Sequence, residues 1–356
     1  MNSLPPMVKP ARALGKLFVR SVTLAHGGGG KAMKDLIDDV FIRAFDGRGL
    51  PLEDQARIEL ADIAARGDRL AFTTDSFVVD PLVFPGGDIG KLAVCGTVND
   101  LAVGGARPLY LSCAAIIEEG LAIDELREIA NSMSATAREA GVKIITGDTK
   151  VVQRGCCDKL FLTTTGVGVI HAGTRLGVDR AQAGDVVLVN GMLGDHGAAI
   201  LCARGDMMLE APIVSDCACL HGLIEALLDA APGIRFIRDA TRGGAATVLN
   251  EIAEASGVAI EIDEDATPIR AEVKAFCEIL GLDPLYLANE GKLIVVAPAA
   301  QADDAVAAMR AHALGRSACR IGQVTGDDGG RVTMRTTLGG RRIVDMLVGE
   351  QFPRIC

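Results

Sequence analysis

The sequence predicts an α/β (α+β) protein of two domains, and three observations carry that expectation. With 356 residues the chain exceeds what one ordinary hydrophobic core organises. It is 49% hydrophobic but only 3% aromatic, a balance suited to sheets covered by helices through Ala, Val, Ile and Leu. Short apolar runs of strand length alternate with amphipathic stretches of helix length, and glycine-rich turns separate them. The alternation pauses over 175–184, a linker. The expected organisation is a disordered extension over 1–22, an N-terminal domain over 23–174, a C-terminal α/β domain over 175–346 and a mobile tail over 347–356.

Composition excludes several classes of function. A net charge of −10 argues against a nucleic-acid partner, which needs a basic face. No apolar run approaches the eighteen or so residues that span a bilayer, so no membrane role is expected. Met1–Arg20 is basic and proline-containing but has no apolar core or small-residue cleavage site, so it is not read as a secretory signal. The ten cysteines include no C-x-x-C pair, and the five histidines no H-x-x-x-H pair. A long chain of this kind is expected to be cytoplasmic, with most thiols filling the core and no built-in zinc site.

Along the N-terminal domain, His26-Gly27-Gly28-Gly29-Gly30-Lys31 opens a helical pattern through Met33, Leu36, Ile37 and Val40. A glycine run before a helix can present N–H groups to phosphate, or it can be a hinge; the P-loop spacing fails, and Ala32 follows the lysine. Leu70–Val79 reads as a buried strand interrupted by Asp75. Pro85-Gly86-Gly87 turns into a helix from Ile89 towards Asn99 and Asp100, before the Gly104-Gly105 turn. Pro108–Ile117 is a strand, and Leu121–Ala140 an amphipathic helix with Leu126, Ile129, Met133 and Ala137 on one stripe. Val142–Thr146 is a strand running into Gly147-Asp148-Thr149-Lys150, and Leu160–Ile170 is a fourth.

In the second domain, strands are expected at Asp185–Asn190, Ile234–Ile237, Val258–Ile262, Leu293–Val296 and Arg331–Met334. Helices are expected after Gly194-Asp195-His196-Gly197 and over Asp216–Leu228, Ala245–Ser256 and Ala302–Ala313. The turn Arg238-Asp239-Ala240-Thr241-Arg242-Gly243-Gly244 opens one of these helices, so its N–H groups and arginines suit phosphate. Glu290, close to a buried strand, is either a paired core acid or a working base.

Acids placed at the ends of apolar elements are costly unless they bind something. Asp75, Asp100 and Asp148 are such acids. Each alone reads as a cap or turn residue; together, beside glycines and Lys150, they suit a magnesium–nucleotide site, because Mg²⁺ takes oxygen ligands from a few carboxylates and substrate phosphates. The chain ends Pro353-Arg354-Ile355-Cys356, which puts a thiol and a carboxylate on a terminus. Extended from Gly349, this segment reaches at most roughly 25 Å, enough to visit a pocket or another protein. A frayed end finishing in cysteine is the plainer alternative.

Taken in order, several motifs resemble one family, the hydrogenase maturation factors HypE, within the superfamily of aminoimidazole ribonucleotide synthetase. They are Thr74-Asp75-Ser76, Asp80-Pro81-Leu82, Phe84-Pro85-Gly86-Gly87, Gly147-Asp148-Thr149-Lys150-Val151-Val152 and Leu193-Gly194-Asp195-His196-Gly197. Arg238–Gly244, Ala288-Asn289-Glu290-Gly291-Lys292 and the terminal Pro-Arg-Ile-Cys complete the set. The resemblance runs from His26 to Cys356. It implies a two-domain synthetase-like fold, a homodimer formed through the N-terminal sheets, and ATP bound beside that interface. It further implies that the carbamoyltransferase HypF loads a carbamoyl group on Cys356, that ATP drives its dehydration to a thiocyanate, and that the nitrile passes to iron on the HypC–HypD complex.

By the same resemblance, Asp75, Asp100, Asp148 and Asp239 are candidate metal ligands. Asn99, Gly147 and Thr149 join them in the nucleotide site, and Lys150 and Glu290 match a proton-handling pair. The carboxylate of Cys356 disfavours its thiolate, which Arg354 partly offsets. A selenophosphate or aminoimidazole ribonucleotide synthetase has no need of the terminal Cys356. A non-catalytic thiol carrier or metallochaperone has no need of the acids. ATP hydrolysis that requires a carbamoylated tail separates all three.

Overall fold

Strands that send alternate side chains to a covered and an open face organise the N-terminal half. The structure, a computed structural model, describes residues 14–47, 55–205, 212–326, 329–349 and 354–356. This half runs through α1 (Lys31–Leu36), α2 (Leu60–Ala64), β1 (Arg69–Phe77), β2 (Val83–Phe84), β3 (Gly87–Asp88) and α3 (Ile89–Val103). It continues through β4 (Ala106–Glu118), α4 (Ile123–Glu139), β5 (Lys143–Val152) and β6 (Leu160–Ile170). A π-helical turn, Ile37–Ile42, prolongs α1. The sheet order is β1-β6-β4-β5, with β4 and β5 parallel and the other pairs antiparallel.

Asp88 caps α3 by accepting from the N–H groups of Gly90 and Lys91. On α4 the expected stripe of Leu126, Ile129, Met133 and Ala137 is buried. These helices pack with Phe77, Leu111, Ile117, Leu160 and Leu162 of the sheet in one core. The opposite sheet face is open: Phe72 is 73% exposed, Leu70 59% and Ile116 42%.

The second half contains β7 (Val186–Val189), α5 (Asp195–Arg204), α6 (His221–Ala230), β8 (Phe236–Asp239), α7 (Gly244–Ser256) and β9 (Ala259–Asp263). After these come α8 (Ala271–Leu280), β10 (Leu293–Ala297), α9 (Ala302–Ala311), β11 (Cys319–Thr325), β12 (Val332–Arg335) and β13 (Arg341–Ile343). Its seven strands take the order β13-β12-β9-β11-β7-β10-β8. Every residue of β7 and β10 is buried, as expected of central strands covered on both faces. Leu249 and Ile252 of α7 cover one face, while Leu223 and Leu227 of α6 and Met309 of α9 cover the other. The first core does not stop at the linker: Ala198 and Ile200 of α5 and Phe276 of α8 belong to it.

Several expectations change. Residues 14–22 are not a disordered extension: Leu17 and Val22 are buried, and Val22 N–H donates to Leu121 O at 2.8 Å. Residues 1–13 lie outside the described residues. β5 does not end at Thr146 but runs through Gly147–Lys150, because β4 offers partners as far as Glu118. α8, β11, β13 and the β2–β3 hairpin are elements that periodicity does not flag.

Candidate active site at the domain junction

Four carboxyl groups come together where the two halves meet. Asp75 points from the covered face of β1; its Oδ1 accepts from Ser76 N–H at 2.8 Å. Asp100, in the last turn of α3, accepts from Thr73 Oγ1 at 2.9 Å. Asp239 ends β8 and is 6% exposed, and Glu290, between Asn289 and the start of β10, is 2% exposed. Burial raises all four above the ordinary carboxyl range. Asp239 is pushed up to about 7, first by burial and then by the charges of Asp100 and Asp75. Glu290 is driven well above its ordinary value by burial, with Cys217, Asp239, Asp216 and Asp75 adding negative charge. Lys292 does not relieve it: that ammonium pairs with the buried Asp216 at 2.8 Å.

Arg238 draws down Asp100 and Asp239, and Arg242 draws down Asp75, Asp100 and the Cys356 thiol. Arg242 stands on the turn before α7. Gly244, the first residue of that helix, has φ +61°, and a Cβ there would lie 2.3 Å from Leu285 O. Only glycine lets the turn close so tightly.

The tail end is seated in the same junction, not frayed. Arg354 O accepts from Asp80 N–H at 3.3 Å and Cys356 O from Val78 N–H at 3.1 Å, while Ile355 is 6% exposed. Residues 350–353 of the tail lie outside the described residues. Burial, then the negative charge of Glu290, hold the Cys356 thiol well above its ordinary value. Arg354 does not serve this thiol: its guanidinium contacts Asp158 and donates through Nε to Val78 O at 3.0 Å.

Other candidate residues stand elsewhere. Asn99 is buried and committed to the backbone, donating to Ala218 O at 3.0 Å and accepting from Leu220 N–H at 2.7 Å. It joins α3 to the second domain. Register aligns Asp75 with Thr164, Cys113 and Gly147 across the sheet, so β1 and β5 are separated by roughly 14 Å, three strand spacings. Asp148 and Lys150, ion-paired at 3.5 Å and both largely exposed, lie on the open face. The single chain therefore does not bring Asp148 or Lys150 to Asp75, Asp239 and Glu290.

Gly147, Asp148 and Thr149 instead border a cavity of about 820 Å³ between β5, α4 and the π-helical turn, with Phe41 and Arg138 in its wall. A Cβ on Gly147 would come within 2.2 Å of Cys113 O, so this glycine serves the close strand pairing. Sequence reasoning gave no role to His196, whose ring reaches the tail. A lone histidine in a glycine-rich turn carries no spacing signal.

The described residues contain no ready-made group of three or more His, Cys, Asp or Glu side chains arranged to hold a metal. The oxygen-only donors Asp75, Asp100 and Asp239 fit Mg²⁺ that arrives with nucleotide phosphates, and their raised affinity for protons marks a site short of positive charge.

Residues 52–170 match the AIR synthase related protein, N-terminal domain, and residues 182–335 the AIR synthase related protein, C-terminal domain. Two such domains with a carboxyl cluster at their junction define the class. A carbamoyl dehydratase HypE of Rhodobacter capsulatus is 61% identical over 335 residues, 94% of this chain and 98% of that one. A crystal structure of hydrogenase maturation protein HypE in complex with ATP is 49% identical with TM-score 0.87, covering 94% of this chain and 99% of the other. A HypE–HypF complex is 49% identical with TM-score 0.75, covering 78% and 90%. The chain belongs to the HypE family.

Proposed function

We propose that this protein uses ATP to dehydrate an S-carbamoyl group on its own Cys356 to a thiocyanate, the source of the cyanide ligands of a [NiFe]-hydrogenase iron centre. The observation that carries the proposal is the seat of the tail, which sets the Cys356 thiol among Glu290, Asp239, Asp75 and Arg242. A carboxamide oxygen is a poor leaving group. Its attack on the γ-phosphorus of ATP releases ADP and converts the oxygen into phosphate; loss of that phosphate and of both nitrogen protons leaves C≡N on sulfur. Glu290, with its raised proton affinity, suits the removal of a proton from nitrogen. Arg242 suits the charge that develops on the phosphoryl oxygens. Mg²⁺ held by Asp75, Asp100 and Asp239 would neutralise phosphate charge.

Asp148 and Lys150 enter this scheme through a homodimer. The open sheet face, with Phe72 and Leu70 exposed, suits pairing with its own copy. Such pairing places Asp148, Lys150 and the adjoining cavity at an interface. The cavity volume falls within the usual range for small-molecule sites and suits an adenosine moiety. HypF is the proposed loading enzyme, on the strength of the HypE–HypF complex of a relative. HypC–HypD is the proposed acceptor. All of this chemistry is assigned to the cytoplasm; among the described residues no helix is long and apolar enough to cross a membrane.

Mass spectrometry of the C-terminal peptide after incubation with HypF, carbamoyl phosphate, Mg²⁺ and ATP tests the reaction. The wild type is expected to carry a carbamoyl group less one water, and Asp75→Asn to stop at the carboxamide. A wild-type tail that remains a carboxamide contradicts the proposal.

A further inference from the structure

Two features of the tail seat are unexplained by the chemistry above: a fully buried histidine and the hydrogen-bond chain behind it. His196 is 0% exposed, on the first turn of α5. Its Nε2 lies 2.8 Å from Ile355 O and its Nδ1 2.8 Å from Ser215 Oγ. Ser215 Oγ in turn accepts from Cys217 N–H at 3.1 Å. A carbonyl only accepts, so the Nε2 proton points at Ile355 and Nδ1 accepts the Ser215 hydroxyl proton. The ring of Phe84 stands edge-on to His196 at 5.6 Å between centroids and fixes its plane.

We infer that His196, oriented by Ser215, is a positioning residue that seats the tail by donating to the Ile355 carbonyl, and so sets how efficiently the loaded Cys356 is dehydrated. The contact is to backbone, so it is indifferent to whether Cys356 is free or carbamoylated. It lies one residue from the reacting sulfur, where a small displacement of the chain moves the carboxamide directly. Arg204 acts beside it, donating through Nη2 to Arg354 O at 2.6 Å and through Nε to Asp80 O at 2.9 Å. The His196 contact differs from these in being wholly buried and in running through a side-chain relay. Burial also lowers the imidazole's affinity for a proton, which keeps the ring neutral and Nδ1 free to accept.

The inference rests on the proposed reaction, but its first readout does not. Alkylation of Cys356 by iodoacetamide, followed on the peptide released by cleavage after Glu350, reports the seat alone. His196→Ala should speed alkylation of this cysteine roughly tenfold, the order expected for loss of one buried hydrogen bond. His196→Gln, which keeps an N–H donor, should restore slow alkylation, and Ser215→Ala should give an intermediate rate if His196→Ala fails to fold. With HypF, carbamoyl phosphate and ATP, His196→Ala should accept the carbamoyl group at least as fast as the wild type yet accumulate carboxamide. Unchanged alkylation in folded His196→Ala and in Ser215→Ala overturns the inference, and so does faster alkylation with normal dehydration. If the wild type makes no nitrile, the proposed reaction fails, while the alkylation series still decides whether His196 seats the tail.

Discussion

At the scale of single residues, the junction is expensive to keep. Asp239 shows this most plainly, because burial and the charges of Asp100 and Asp75 raise it from 3.8 to about 7. A carboxyl whose folded-state value is raised binds its proton more tightly in the folded chain. Its contribution is therefore complete below the unfolded value and is lost as pH rises through 7. Without nucleotide, Asp239→Asn should stabilise the protein at pH 8 by on the order of 2 kcal/mol, and the gain should fade by about pH 4. Thermal melts of both proteins across that range test it, and equal melting at pH 8 would show that Asp239 carries no such strain. The same variant should lose magnesium-dependent ATP use. Stability is given up at this position in favour of the proposed magnesium–nucleotide site.

At the scale of elements, the open face of the β1-β6-β4-β5 sheet is the clearest unfilled surface, with Phe72 73% exposed at its β1 edge. If two copies pair there, Phe72→Lys should convert a dimer to a monomer, read by light scattering, while circular dichroism stays unchanged. ATP use should fall at least tenfold, since Asp148 and Lys150 are then left away from the carboxyl cluster. A dimer that survives the substitution removes this face from the interface.

Elements were legible wherever one local pattern dominated: the stripe on α4, the uninterrupted apolar β10, the glycine turn before α7. Asp75 and Asp100 were legible too, because acids at the ends of apolar elements need a reason, as was Glu290 beside its buried strand. Asp239 was singled out only by the family resemblance. What the sequence concealed depends on distance across the sheet. Gly147-Asp148-Thr149-Lys150 reads as part of the same site as Asp75, yet strand order and pleat put Asp148 on another strand and the other face. Asn99 reads as a nucleotide ligand and instead joins the two domains. His196 and Arg204 were hidden because what they recognise is backbone carbonyl, which leaves no mark on residue identity.

At the scale of the whole molecule, the two halves share one core and close around the chain's own end, so the residues proposed as substrate are also part of the structure. Ile355 joins the shared core, and the Arg354 carbonyl oxygen and a Cys356 carboxylate oxygen are held by the Asp80 and Val78 N–H groups. The thiol held there is a poor nucleophile, since burial and Glu290 raise it well above its ordinary value. Loading by another enzyme therefore calls for the tail to leave, and dehydration calls for it to return. Adding several residues after Cys356 separates these demands. An extended tail can still present its thiol outside, but the added chain must fit where Val78 meets the terminal group. Carbamoylation should persist within a few-fold, and conversion to thiocyanate should drop at least tenfold, because chemistry tolerates misplacement less than encounter does. Deleting residues 353–356 should leave a folded protein that binds ATP and forms no nitrile. Normal conversion in the extended protein would mean that the chain end is not enclosed during the reaction, whereas any nitrile formed by the deletion would remove Cys356 as the carrier.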